Sequence, residues 1–106
     1  MSDWITVAKT GEIAPGACKV VDVDGVLIAT FNIDGEYYAI EDVCTHDGGL
    51  LTGGKIDCGA IVCPRHGARF CIKTGEALTA PAYESTATFP VRVEGNEIQV
   101  RDDRWD

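Results

Sequence analysis

Two short stretches hold the residues best suited to chemistry, "VCTHDGGLLTGG" at 43–54 and "VCPRHG" at 62–67. The 106-residue chain has two histidines, His46 and His66, and each follows a cysteine, in Cys44-Thr45-His46 and in Cys63-Pro64-Arg65-His66. Thiolate and imidazole both ligate zinc and iron well. On an irregular loop, residues two apart can aim the same way, and a Cys-x-x-His turn lets both ends converge on one region. A zinc site normally shows Cys-x-x-Cys or His-x-x-x-His pairs whose members reach a single ion. Here each loop supplies one soft ligand and one nitrogen ligand. Two irons explain this better, each loop giving its thiolate to one iron and its imidazole to the other. A structural zinc module is the alternative.

The elements around these loops read as strands. Short alternating runs separated by turn signals dominate, and no window offers a long helical stripe. "ACKVVDV" and "VLIATFN" flank Asp24-Gly25, and "VLIATFN" and "EYYAIED" flank Asp34-Gly35. Such dipeptides supply the positive φ values of a tight hairpin. Ala87, Phe89, Val91 and Val93 alternate with polar neighbours and Pro90, and Gly95-Asn96 turns the chain into "EIQVR", with Ile98 and Val100 facing inward. Phe31, Tyr37, Tyr38 and Phe89 are assigned to the framework core, and "RDDRWD" to a solvated, partly ordered tail. Residues 42–83 differ: they carry most of the glycines, four of the five cysteines and both histidines. The expected organisation is one domain, 1–106, all-β and antiparallel, with a framework of 1–41 and 84–106 holding up an inserted loop-rich unit, 42–83. Such a unit has little apolar area of its own, and a metal centre would staple it.

Bulk properties narrow the partners. The net charge is -8, which argues against non-specific binding of nucleic acid or anionic membranes. "MSDWITVAKTGE" lacks the features of a signal peptide, and no apolar run is long enough to span a bilayer. The expected setting is the reducing cytoplasm, where an odd number of cysteines favours metal binding over cross-linking.

The pattern resembles the Rieske family, whose 2Fe-2S cluster is held by two cysteines on one iron and two histidines on the other. The likeness rests on "CTH" at 44–46 and "CPRHG" at 63–67, with "GG" at 53–54 and "TGEALTAPA" at 74–82 around them, and it covers nearly the whole chain. It implies that Cys44 and Cys63 bind the inner iron and that His46 and His66 bind the outer one. Two ferric ions, two sulfides, two thiolates and two neutral imidazoles sum to zero charge, so accepting an electron is easier than in a four-cysteine ferredoxin. Amides of Gly48, Gly49 and Gly67 are candidates to face the cluster sulfurs, because glycine permits close approach. Pro81-Ala82 matches the proline segment that covers the cluster. Cys18, Cys58 and Cys71 are left as small buried hydrophobes.

Family members in respiratory and photosynthetic complexes carry an extra disulfide between the loops; its positions here hold Gly49 and Arg65. They also place serine and tyrosine hydroxyls on the cluster sulfurs, where this chain has Ala68 and Phe70. Losing those donors lowers the potential. The departures imply a low-potential ferredoxin of the ring-hydroxylating oxygenase type. It would be a monomer that carries single electrons from an NAD(P)H-dependent flavoprotein reductase to a terminal oxygenase, docking at the histidine edge and catalysing nothing alone. A small Rieske subunit of a multisubunit reductase is the second reading.

Overall fold

The structure, a computed structural model, describes residues 4–45, 48–57, 59–64, 67–80 and 82–103. It is all-β, as the alternation predicts. Among the described residues, ten strands form three antiparallel sheets. The central sheet runs β2 (Cys18–Val23), β3 (Val26–Ile33), β4 (Glu36–Glu41) and β8 (Thr88–Phe89). A second has the order β1 (Ile5–Lys9), β10 (Glu97–Val100), β9 (Val91–Glu94), and a third, small one is β5 (Ile56–Asp57), β6 (Ala60–Val62), β7 (Arg69–Cys71).

The hairpins follow from their turn residues. Val23 pairs with Val26 and Ile33 with Glu36 across two-residue turns. Both central residues of each turn have positive φ: Asp24 51° and Gly25 87°, Asp34 53° and Gly35 90°. That is the primed turn whose twist matches the flanking strands. The side chains of Asp22 and Asn32 accept the Gly25 and Gly35 amides at 2.7 and 2.8 Å.

β3 organises the interior because it is buried on both faces, which is why its sequence "VLIATFNI" is so nearly continuous in apolar residues. Ile28 packs with Val7, Ala39, Phe89, Ile98 and Val100 between the central sheet and the β1–β10–β9 sheet. Ala29 and Phe31 pack the other way, against Ile40, Leu51, Ile61, Phe70, Ile72 and both Cys44 and Cys63. Cys44 and Cys63 therefore share one core with the central sheet.

Two expectations need correcting. The alternating run 87–94 is not one strand. It breaks at Pro90, with Thr88–Phe89 pairing to β4 and Val91–Glu94 pairing to β10 in a different sheet. Proline has no amide to continue a ladder. Val93 consequently lies exposed. The start of the terminal segment is also anchored rather than simply solvated: Asp102 is buried, and the guanidinium groups of Arg92 and Arg101 sit 4.4 and 5.9 Å from the ring centre of Trp4. Tyr37 and Tyr38 are half-buried, whereas Phe31 and Phe89 are buried as expected.

Candidate metal centre

Cys44 and Cys63 each open a loop with the same backbone frame. The Cys44 amide donates to the Gly49 carbonyl at 2.7 Å, and the Gly48 amide donates back to the Cys44 carbonyl at 2.7 Å. In the second loop, which joins β6 to β7, the Cys63 amide donates to the Ala68 carbonyl at 2.7 Å and the Gly67 amide to the Cys63 carbonyl at 3.0 Å. Gly48 and Gly67 both have φ of 75°, the left-handed conformation that closes such a loop and that L side chains disfavour. His46 and His66, one within each loop, lie outside the described residues, as do Cys58, Arg65 and Pro81.

A third loop, which has no histidine, repeats the frame. The Cys71 amide donates to the Glu76 carbonyl at 2.8 Å, and the Gly75 amide to the Cys71 carbonyl at 2.7 Å, again with φ of 75° at the glycine. The signal was present as Cys-x-x-x-Gly three times over, in "CTHDG", "CPRHG" and "CIKTG". In this third loop the surroundings of the sulfur are defined. Burial pushes the Cys71 thiol up, but the Thr74 hydroxyl and the Thr74 and Lys73 amides donate to it and bring it below the ordinary value. The loop thus stabilises a thiolate.

The frame also corrects one expectation. The Gly48 and Gly67 amides are committed to the carbonyls of Cys44 and Cys63, so they serve loop closure instead of facing sulfur. Glycine's closest approach lies elsewhere, at Gly54, against the backbone of Val62 in β6.

The two loops are fastened to the framework by polar contacts that alternation could not reveal. Asp42, buried just beyond β4, accepts the Leu51 and Thr52 amides on Oδ1 at 2.8 and 2.9 Å, and the Thr52 hydroxyl on Oδ2 at 2.8 Å. The Thr45 hydroxyl donates to the Glu84 carbonyl at 2.6 Å. The Leu78 amide donates to the Arg69 carbonyl at 2.7 Å, and the Arg69 amide to the Thr79 hydroxyl at 3.0 Å. Arg69 and Asp57 form an exposed ion pair at 2.7 Å, a contact of small energetic weight.

Two side chains on which the lower-potential reading rests lie in this core. Ala68 and Phe70 are fully buried in the core that holds Cys44 and Cys63, and neither has a hydroxyl to offer. Cys18, Cys44, Cys63 and Cys71 are free thiols. Cys18 and Cys71 are only half-buried, so they are less deeply packed than a small core hydrophobe would be. The described part of the donor set fits an iron–sulfur cluster: two buried, unbridged cysteines open loops closed by the same backbone frame.

Comparison with known proteins agrees. The sequence pattern of the Rieske [2Fe-2S] domain matches residues 3–90. The 3-phenylpropionate/cinnamic acid dioxygenase ferredoxin subunit of Escherichia coli (strain K12) is 44% identical over 95 residues, 89% of each chain. Among solved structures, a chain in the complex of reduced oxygenase and oxidized ferredoxin in carbazole 1,9a-dioxygenase superposes with a TM-score of 0.87 at 32% identity, covering 92% of this chain and 91% of that one. A putative NADH-dependent nitrite reductase small subunit from Mycobacterium tuberculosis follows at 0.84 and 25% identity, covering 96% of each chain.

Proposed function

Because the chain belongs to the Rieske [2Fe-2S] domain family, we propose that it is a one-electron carrier between an NAD(P)H-dependent flavoprotein reductase and a terminal aromatic-ring-hydroxylating oxygenase. The cofactor is one Rieske-type 2Fe-2S cluster, which supplies a centre that accepts and releases a single electron. The observation that carries the reading is the matched pair of buried cysteine loops, in a chain 44% identical over most of its length to a dioxygenase ferredoxin subunit. Cys44 and Cys63 would hold the inner iron and His46 and His66 the outer one, within a unit 42–83 set on a framework of 1–41 and 84–106. The protein is a transfer component, not itself the oxygenase.

Docking falls at the cluster end of the molecule. Among the described residues, five large apolar side chains are exposed, and three of them, Leu50, Leu78 and Tyr83, belong to the loop unit. Each is next to a contact that defines it: Leu50 follows Gly49, Leu78 bonds to Arg69 beside the second loop, and Tyr83 precedes Glu84, which is tied to Thr45. Tyr83 is 85% exposed, an aromatic anchor of the kind that dominates interface energetics. So few exposed apolar side chains suit a transient encounter of a cytoplasmic monomer with successive partners. The net charge of -8 would steer it toward basic faces and speed association more than it tightens binding.

The likeness to a nitrite reductase small subunit favours a second reading, a Rieske subunit bound permanently to a reductase. Stopped-flow electron transfer separates the two. A carrier exchanges electrons with an added aromatic-dioxygenase reductase and oxygenase at rates that fall as salt rises, and Tyr83→Ala slows that exchange without changing the visible spectrum. Failure to exchange with either component would overturn the carrier reading, and a colourless, redox-silent protein would point to the zinc module.

A further inference from the structure

A carboxylate is costly to bury, yet Asp42 is only 3% exposed and stands two residues before Cys44. Its three hydrogen bonds come from the Leu51 amide, the Thr52 amide and the Thr52 hydroxyl. Those are neutral donors, which spread a negative charge without cancelling it. The Asp42 amide itself donates to the Leu27 carbonyl of β3 at 2.8 Å, which ties the backbone of this residue to the framework. Leu51, which it holds, is fully buried in the same core as Cys44 and Cys63.

The charge reaches into that core. Cys18, packed against the same cluster of side chains, has its thiol pushed up first by burial and then by the Asp42 carboxylate. Cys44 is closer in the chain, since two residues span at most about 7 Å between Cα atoms. An anion fixed in a medium of lowered dielectric opposes any further negative charge placed nearby.

We propose that Asp42 has two separable roles: it latches the first ligand loop through Leu51 and Thr52, and its charge lowers the reduction potential of the metal centre opened by Cys44. It is a positioning and tuning residue, not a ligand, and the inference rests on Cys44 being one. Nothing in the latch requires charge. An asparagine at this position keeps an oxygen for the two amides and turns its amide nitrogen toward the Thr52 hydroxyl, which then accepts. Loop geometry alone does not account for the choice of aspartate.

The test is a pair of near-isosteric variants, each measured for iron per chain and for midpoint potential. Asp42→Asn removes the charge and keeps the latch, so iron content stays at the wild-type level and the midpoint rises. Thr52→Val removes one donor from the carboxylate and leaves its charge less delocalised, so the midpoint falls. Opposite shifts support the proposal. A wild-type midpoint in a fully loaded Asp42→Asn protein would make Asp42 a latch only and overturn it. Should Asp42→Asn fail to hold iron, Thr52→Val decides: an unchanged or raised midpoint overturns the charge role. Wild-type protein with no iron–sulfur signature would instead refute the ligand reading, a separate failure.

Discussion

A Cβ at position 54 would stand 1.7 Å from the carbonyl oxygen of Val62. The two backbones touch because the turn after the first cysteine loop is seated directly on β6, which leads into the second. The Val62 amide completes the contact by donating to the Lys55 carbonyl at 2.8 Å. Gly54→Ala therefore separates the loops, costing at least the ~1–3 kcal/mol of an overpacked core, with iron per chain falling well below wild type. Gly53 is the control: its φ is 97° but nothing lies within 4 Å of its missing Cβ. Gly53→Ala costs about 1–2 kcal/mol of backbone strain and retains the metal. Denaturation midpoints and iron analysis on both variants check this.

Cysteine replacements sort ligands from bystanders. Cys44→Ser or Cys63→Ser removes a donor from the site, and because metal-binding free energy is also folding free energy there, the loop unit should lose both colour and protease resistance. Cys18→Ser, Cys58→Ser and Cys71→Ser should keep the visible spectrum. Cys71 is the informative case, since its loop copies the ligand frame. A Cys71 variant without the chromophore would reassign the ligands.

Cys18 and Cys71 should separate by pH. Burial and the Asp42 charge raise the Cys18 thiol above its ordinary 9.0, whereas hydrogen bonds hold Cys71 below it despite burial. Alkylation proceeds through the thiolate, so the half-maximal rate for Cys71 falls at lower pH than that for Cys18. Peptide mass spectrometry after timed iodoacetamide treatment measures both. By linkage, the Cys71 thiolate adds stability above the unfolded thiol pKa, and that stability is lost as pH falls through the lowered folded value. Cys18, raised in the fold, costs stability as pH climbs above the unfolded value.

Much of this fold was legible because some residues permit only one local structure. Asp24-Gly25 and Asp34-Gly35 fix primed turns, and those turns fix the register of β2, β3 and β4. Cys44 and Cys63, the described halves of the Cys-His pairs, do open matched loops. Two kinds of information were hidden. Pro90 breaks a run whose alternation continues past it, because side-chain period says nothing about which sheet a strand joins. The Asp42 latch joins residues nine and ten apart across a loop with no periodicity, so only the folded backbone brings them together. The Cys-x-x-x-Gly frame is written in the sequence three times, at Cys44–Gly48, Cys63–Gly67 and Cys71–Gly75, and the third copy has no histidine to mark it.

Ala68 and Phe70 offer a test of tuning. Both are fully buried beside Cys44 and Cys63. A hydroxyl introduced there must find a partner or cost about 1–3 kcal/mol. If it donates to a cluster sulfur, Ala68→Ser or Phe70→Tyr raises the midpoint potential at unchanged iron content. Voltammetry reads both. Midpoints unchanged or lowered in the two variants would sink the hydrogen-bond explanation of a low potential.

The central claim is that two Cys-His loops divide their ligands between two irons, thiolates on one and imidazoles on the other. Mössbauer spectroscopy of the oxidised, iron-57-enriched protein, with iron and acid-labile sulfide counted on the same sample, tests it most directly. The expected result is two irons and two sulfides per chain, with two distinct iron environments in equal amounts, as sulfur-only and nitrogen-bearing coordination require. A single iron environment, or zinc in place of iron, would contradict it.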